Sequence, residues 1–398
     1  MKKIKNVLTI FLSLTLLFSA NSFAESSTAS ELSGHEEISA GLEAFSESLY
    51  NALPEAATQQ NVWADTYMGK LFPSIIPHMG AGVSIGGTVI DMSGLKTAAE
   101  GIQTSYEDIC SSLGDAIIAS GSYVSLPSIN FGLIPETFIL PTASVDIRLG
   151  GVLLPMDIGL CAIATNPALS GIDWKNVTGI PATLMSISNP INFNTLGFNM
   201  DIDYLTLGAD FRFRVIPEGD ILPGLSLGGG YYYIAGSFAV NSEDSTEISG
   251  VGTQTTTSSM ELDYSTQVIF AQIQLSKRIS SCSFFVGGRG LLASTTTAWK
   301  WSFSSANDGE SEEAQALCYS DSDSSENAEG TTSLKEAFSS MTSGSFDWTN
   351  IRPQLYAGAG FNFWVVQITA SVCADVRSLF ENSTDFIWSG ALSCHVKL

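Results

Sequence analysis

Apolar and polar side chains alternate along several segments of the C-terminal half. Every second residue from Leu205 to Val215 is apolar, and the residues between them include Asp210, Arg212 and Arg214. A helix would scatter these charges around its circumference, whereas a strand puts them on one face. The same alternation recurs over residues 269–276, 354–363, 368–377 and 386–398. The pattern predicts strands with one apolar and one polar face.

The links between these segments alternate in length. The links 216–224 and 277–280 are short, whereas 241–259 and 304–348 are long and polar. Transmembrane barrels have short turns at one rim and longer loops at the other, and soluble sandwiches rarely keep such order. We therefore predict an all-β, antiparallel transmembrane β-barrel of about 12–14 strands. The two long links are predicted to be acidic surface loops.

The N-terminal half also contains helical periodicity. Ile38, Leu42, Phe45 and Leu49 recur at helical spacing before Pro54. This spacing predicts an amphipathic helix over 35–53, ending at the proline, with an apolar stripe that must be buried. A second helical stripe runs over 95–113, and alternation over 79–89 predicts a strand between the two helices. We expect residues 25–115 to form a helical N-terminal segment that includes the first strand, and 116–398 to form the barrel.

Prolines interrupt the apolar segment 122–155. They stand at positions 127, 135, 141 and 155, and the apolar parity switches at Gly150 and Gly151. Since proline cannot donate to a strand ladder, we expect kinked or interrupted strands here, with a bulge or turn at the glycine pair.

The first 24 residues have the pattern of a signal peptide. Lys2, Lys3 and Lys5 precede an uncharged apolar run over 7–18, and Ser22-Phe23-Ala24 supplies a cleavage pattern. Beyond this run, no apolar stretch approaches the roughly 20 residues of a spanning helix. The net charge is -23, which argues against nucleic-acid binding. We predict export to the cell outer membrane, with the barrel-assembly machinery and membrane lipid as partners.

The sequence contains no recognisable catalytic or metal-binding motif. The six cysteines form no CxxC pair, and the acidic segment 304–348 lacks the spacing of a calcium loop. His395 follows Ser393 by two positions, but no Asp or Asn is identifiable that would orient the histidine. We therefore predict no enzymatic activity, no cofactor and no metal.

Five arginines occupy positions predicted to face the lumen. They are Arg148, Arg212, Arg214, Arg289 and Arg377. One interpretation is a charge ladder that stiffens the barrel, and the other is a set of groups that capture a ligand carboxylate.

The leader, the helical N-terminal segment, the barrel and the terminal strand together resemble the FadL-type outer-membrane transporters of long-chain fatty acids. In that family an N-terminal hatch plugs a barrel of ~14 strands, and ligands leave through a wall opening at a kinked strand. The stripe of Ile38, Leu42, Phe45 and Leu49 matches the hatch, and the prolines of 122–155 suit the kink. The family's Asn-Pro-Ala signature belongs in the hatch, whereas Asn166-Pro167-Ala168 lies far downstream.

The resemblance implies a barrel channel for passive uptake of small hydrophobic molecules such as fatty acids. Two alternatives remain from the sequence: a surface-exposed structural or adhesive protein, and a general diffusion porin.

Overall fold

The computed structural model describes most of the chain after residue 33. The described residues are 34–59, 63–68, 78–105, 135–151, 155–164, 191–192, 199–248, 252–307, 317–326, 333–343, 347, 350–377 and 386–397. The predicted signal peptide, the predicted boundary near residue 115 and the Asn-Pro-Ala triplet at 166–168 lie outside these residues.

Twelve strands and three helices are described. The helices are α1 (His35–Thr58), α2 (93–105) and α3 (Leu334–Ser343). The strands are β1 (His78–Asp91), β2 (Thr137–Gly150), β3 (Met156–Ala164), β4 (Ile191–Asn192), β5 (Asn199–Ile216), β6 (Gly224–Ile248), β7 (Gly252–Ile279), β8 (Cys282–Asn307), β9 (Leu317–Glu326), β10 (Arg352–Phe363), β11 (Val366–Asp375) and β12 (Trp388–Lys397).

The strands form one closed antiparallel barrel. The ring runs β1-β2-β3-β5-β6-β7-β8-β10-β11-β12 and closes where β12 pairs with β1. Strands β4 and β9 attach to β5 and β8 beside the ring. The antiparallel all-β barrel is confirmed. In the described chain, however, ten strands close the ring instead of the 12–14 expected, because β6, β7 and β8 are 25, 28 and 26 residues long.

The two rims of the barrel differ as the link lengths predicted. At one rim, which we call the turn rim, short links join successive strands: 151–155, 217–223, 280–281 and 364–365. Ser280 and Trp364 begin the two-residue turns with φ of 58° and 51°, the left-handed backbone that tight hairpins need. The opposite rim, called the loop rim, carries longer links such as 92–136 and 327–351.

The predicted loops 241–259 and 304–348 contain regular structure instead. Residues 241–248 and 252–259 are the paired ends of β6 and β7, and 317–326 form β9 against β8. The helix α3 follows β9. These strand ends are rich in Ser and Thr on both faces, so they lack the apolar alternation by which the other strands were recognised. Strands β6 to β8 therefore project far beyond the roughly 9–11 residues that cross a bilayer.

The outer face of the ring is apolar. Large apolar side chains on the ring strands are about half exposed, whereas the residues between them are buried inside. Those facing outward include Val83, Ile85, Ile139, Ile147, Leu160, Phe211, Leu227, Ile273, Phe284, Val286, Leu355, Ile368, Val372 and Leu392. Aromatic residues Phe363 and Trp364 are exposed at the turn rim. An outward apolar band with aromatic residues at its edge is the arrangement of a barrel surrounded by lipid.

Two prolines behave differently from the prediction. Helix α1 continues through Pro54 to Thr58, because packing inside the barrel holds its last turn in place of the lost hydrogen bond. Strand β2 runs unbroken through Pro141, whose pairing among the described residues is with β1, since the ladder to β3 covers 145–150. The glycine pair forms a turn, with Gly151 at φ 71°.

The predicted helices and first strand are otherwise confirmed where the structure describes them. Strand β1 covers the alternation over 79–89, and α2 covers the beginning of the 95–113 stripe, of which residues after 105 lie outside the described chain. No helix in the described ranges is both long enough and apolar enough to cross a membrane.

The outward band predicts which substitutions block insertion. Phe211 points outward and is about half exposed, so Phe211→Arg should lose roughly 2–4 kcal/mol of membrane stability. Urea unfolding in detergent or lipid vesicles measures this loss, and Phe211→Leu serves as the matched control. Equal stability of the arginine and leucine variants would show that this face does not contact lipid.

Candidate functional site

The lumen is filled by the N-terminal segment of the same chain. The four stripe residues Ile38, Leu42, Phe45 and Leu49 are all buried, and the helix packs against strands on several sides of the ring. The helix begins near the loop rim, where His35 bonds Asp321 at 2.9 Å, and it descends toward the turn rim. We call α1 together with residues 59 and 63–68 the plug.

The apolar stripe packs against the inner face of β6, β7 and β8, which we call the apolar sector, and Ile90 of β1 and Leu140 of β2 belong to the same core. Phe45 packs edge-on against Phe238 with ring centroids 5.1 Å apart. Buried side chains of this sector that join the same core include Met260, Leu262, Phe270, Trp299 and Trp301. Burying an apolar side chain of this size stabilises by roughly 1.5–3 kcal/mol, so this contact anchors the plug.

Small residues let α2 pack closely on α1. A Cβ at Gly41 would lie 2.4 Å from the Ala98 nitrogen, and one at Gly94 would lie 2.5 Å from the Phe45 nitrogen. Ser105 accepts a hydrogen bond from the Gly34 nitrogen at 3.1 Å. These contacts hold α2 against the plug at the loop rim.

The C-terminal end of α1 is held by polar groups. Arg289 donates to the last helical carbonyl, that of Thr58, at 2.6 Å and stacks over the Tyr356 ring. Glu55 accepts from Gln354 at 2.5 Å and from Ser389 at 3.2 Å. Burial raises the pKa of Glu55, and the hydrogen bond from Gln354 partly offsets that rise.

Residues after the helix reach the inner face of β11, β12, β1 and β2, which we call the polar sector. Trp63 donates to Asp146 at 3.1 Å and stacks on the His395 ring at 3.9 Å. His395 Nε2 lies 3.2 Å from the other oxygen of Asp146. We expected no Asp or Asn partner for His395 from the sequence, and this expectation was wrong: Asp146 is distant in sequence, but the register of β12, β1 and β2 places it close to His395.

An ion cluster lies inside the barrel near the turn rim, on the neighbouring strands β2, β3 and β5. Arg148 bonds Asp157 at 2.5 Å and Asp210 at 2.7 Å, while Arg212 bonds Asp157 at 2.9 Å. Asp157 also accepts from the Met68 nitrogen of the plug at 3.0 Å. Each of these charged groups is almost fully buried, so each depends on its partners.

Asp65 joins the plug to the turn-rim end of the barrel. Its carboxylate accepts from Lys397 and, at 3.0 Å, from Ser283. Burial alone would raise the pKa of Asp65, but the charges of Lys397 and Arg278 outweigh it and the pKa is lowered.

The five predicted lumen arginines do not form one site. Arg148 and Arg212 belong to the ion cluster, and Arg289 holds the helix end. Arg214 is half-buried over the Tyr67 ring at 4.7 Å, and Arg377 bonds Asp375 at 2.8 Å near the loop rim. All five contact protein groups, so capture of a ligand carboxylate by any of them stays a prediction.

Several residues of this interior were not singled out from the sequence. Asp157 lies between apolar Met156 and Ile158, the same signal that marked Arg148, and could have been found. Trp63, Asp65 and Glu55 carry no periodic signal, because their roles come from contacts with distant strands.

A cleft of about 620 Å³ opens at the loop rim between α1 and the ends of β1, β2, β11 and β12. The lining residues are Ala44, Glu47, Ser48, Asn51, Ala52, Val89, Ile90, Asp91, Ser93, Glu136, Thr137, Asp375, Arg377, Phe386 and Ile387.

Comparisons with known proteins assign no family. No family model matches the chain, and no curated protein matches it. Among solved structures, it is similar to the outer membrane protease OmpT from Escherichia coli, with 9% identity and a TM-score of 0.34 over 84% of this chain and 99% of that one.

Two further similarities are weaker. The transport unit of the autotransporter AIDA-I from Escherichia coli is 8% identical, with a TM-score of 0.24 over 90% of this chain and 98% of that one. A Pseudomonas aeruginosa FadL homologue is 8% identical, with a TM-score of 0.23 over 85% of this chain and 98% of that one. These values are too low to carry an argument about function.

Removing one negative charge from the ion cluster should lower the free energy of unfolding strongly. Asp157→Asn leaves Arg148 and Arg212 without their shared carboxylate, which should cost about 3–5 kcal/mol. Glu261→Gln is the control, because its pair with Lys300 is partly exposed and worth about 0–1 kcal/mol. Equal unfolding free energies for the two variants would contradict the role assigned to the cluster.

The lowered pKa of Asp65 predicts that the stability of the fold depends on pH. Because its folded pKa lies below the ordinary 3.8, its ion pair stabilises the fold above that value and is lost as pH falls through the folded pKa. The unfolding temperature of wild type should exceed that of Asp65→Asn at neutral pH, and the difference should shrink below about pH 4. A difference independent of pH would contradict this assignment.

Proposed function

We propose that this protein is an outer-membrane channel closed by its own N-terminal plug, and that it takes up small amphipathic molecules. The observation that carries the proposal is the burial of the α1 stripe inside the closed ring. A plug of this kind shuts the lumen while leaving the wall strands paired to one another, so the barrel does not depend on the plug for closure.

Placement in the outer membrane is supported by the outward apolar band and by the predicted signal peptide. The barrel exposes apolar residues on all sides of the ring and buries charges within it, which suits lipid outside and a polar interior. With short turns toward the periplasm, the loop rim and the cleft face the exterior.

The two sectors hold the plug by different contacts. Its apolar stripe meets the apolar sector, whereas the polar sector holds it by the Trp63–Asp146 hydrogen bond, the stacking of Trp63 on His395 and the Asp65–Lys397 ion pair. The cleft lies above the polar sector, so a molecule entering there would meet the plug on its less apolar side.

The chemistry of the cleft favours neutral or cationic molecules over fatty acids. Phe386 and Ile387 supply apolar surface, but Glu47, Asp91 and Glu136 are carboxylates that would repel an anionic head group. The nearby Arg377 is already paired with Asp375. Fatty acids, expected from the family resemblance, are therefore less suited to this entrance than uncharged amphiphiles.

A second candidate is a surface-exposed structural or adhesive protein. The observation that favours it is the projection of β6, β7 and β8 beyond the apolar band, with Ser and Thr on both faces. A general diffusion porin is less well supported, because in the described chain the plug occupies the lumen.

Deletion of residues 35–53 tests the proposal. The shortened protein should keep its barrel, conduct ions far more freely in planar bilayers than wild type, and lose selective uptake of a fluorescent uncharged amphiphile. Deleting 334–343, which removes α3, is the matched control and should leave conductance unchanged. If both deletions left conductance at the wild-type value, the segment would not be a plug and the adhesive alternative would gain.

A further inference from the structure

One end of the loop-rim cleft carries an excess of positive charge. Arg377 lines the cleft, and Asp375 accepts from its Nε at 3.0 Å and its Nη2 at 2.8 Å. Arg352 donates from Nη1 to the carbonyl of Asn51, another lining residue, and its charged neighbours are Arg377 and Asp375. Two guanidinium groups therefore share one carboxylate. We call Arg352, Asp375 and Arg377 the positive end of the cleft.

The charge of Arg352 is incompletely balanced. Its side chain belongs to a residue that is 3% exposed, and it makes no ion pair in the described part of the chain. Its contacts are the Asn51 carbonyl at 3.1 Å and the Tyr50 ring at 4.8 Å. Neither group carries a full negative charge, and a buried cation needs a counter-charge. The positive end thus favours an incoming anion.

The other end of the cleft has only negative charge. Glu47 of α1, Asp91 of β1 and Glu136, which precedes β2, line it, and we call them the negative end. Asp91 accepts from the nitrogen and the hydroxyl of Ser93 at 2.9 and 2.8 Å. None of the three carboxylates forms an ion pair among the residues that the structure describes. This end therefore attracts a cationic group.

The strand register sets the distance between the two ends. Asp375 of β11, Ile387 of β12 and Ile90 of β1 lie at one level, and Asp91 follows Ile90. Neighbouring strands are 4.7–4.9 Å apart, so the two ends are separated by about 10 Å. Ile387 and Ile90 line the cleft between them, and Phe386, which also lines it, is 55% exposed. The cleft is thus an apolar strip between opposite charges.

We propose that the cleft binds short zwitterionic peptides, with the carboxylate of the peptide at the positive end, its ammonium group at the negative end and its side chains on the apolar strip. This proposal rests on the proposed function and names its substrate class. An extended chain spans about 3.3–3.6 Å per residue, so about three residues match the separation of the ends. The cleft volume of about 620 Å³ lies in the range of small-molecule sites.

The pairing within the positive end leaves room for a ligand carboxylate. Asp375 occupies Nε and Nη2 of Arg377, so Nη1 remains as a donor on the side chain that lines the cleft. A fatty acid would satisfy this end alone and would be repelled by the negative end. A simple amine would satisfy the negative end alone. A zwitterion of the right length matches both.

Capped peptides test the two ends separately. The full-length protein in detergent is titrated calorimetrically with the tripeptide Ala-Leu-Ala in its free, N-acetylated and C-amidated forms. Each cap removes one terminal charge, so each should weaken binding at least about tenfold relative to the free peptide. Equal affinity for the three forms would overturn the proposal, as would tightest binding of the amidated cation or no binding of the free peptide.

Substitutions at the negative end leave the fold intact, because the carboxylates changed are exposed. Glu47→Gln with Glu136→Gln should weaken binding of the free peptide about tenfold and leave the N-acetylated form unaffected. Glu37→Gln with Glu43→Gln is the matched control, since both residues are exposed on α1 outside the cleft, and its affinities should equal those of wild type. An equal loss in the two double variants would contradict the assignment.

Substitution of Arg377 tests the positive end. Arg377→Gln should abolish the preference for the free over the amidated peptide, whereas Arg377→Lys keeps the charge and should retain it. A preference that persists in Arg377→Gln would overturn the proposal. Conductance after deletion of 35–53 is a separate readout: if it rises while the peptide experiments fail, the ligand class is refuted and the plugged channel stands.

Discussion

Charged groups that are buried inside a closed barrel need partners of opposite charge, and this constraint governs the interior described here. The outward face of the ring is apolar, so the charged residues stand at the alternate positions, whose side chains point inward. Arg148, Asp157, Arg212 and Asp210 solve the problem by pairing with one another across three strands. The Arg–Asp cluster replaces hydration that the enclosed space does not provide.

The plug and the wall supply hydrogen-bond partners to each other. The Met68 nitrogen bonds Asp157, the Asp65 backbone carbonyl accepts from Arg212, and the last carbonyl of α1 accepts from Arg289. Groups that would otherwise be orphaned at the helix end and on the wall thus bond each other. A helix that is only moderately amphipathic is stable here because the wall supplies both its apolar contact and its terminal partners.

Local periodicity was enough to predict much of this protein. The two-residue alternation identified β1, β5, β10, β11 and β12, together with their outward faces, and helical spacing identified α1 and its buried stripe. These features depend only on which neighbours along the chain share a face, so a single sequence contains them. The contrast between short and long links likewise predicted the two rims.

Only the tertiary structure decided the number of ring strands, the extent of β6 to β8, and the pairing of His395 with Asp146. Beyond the membrane both strand faces are polar, so residues 241–259 carried no alternation by which to recognise them. The partners of His395, Asp65 and Glu55 lie hundreds of residues away along the chain, and ring closure alone brings them together. Contacts of this kind follow from register and closure, which no local pattern of residues records.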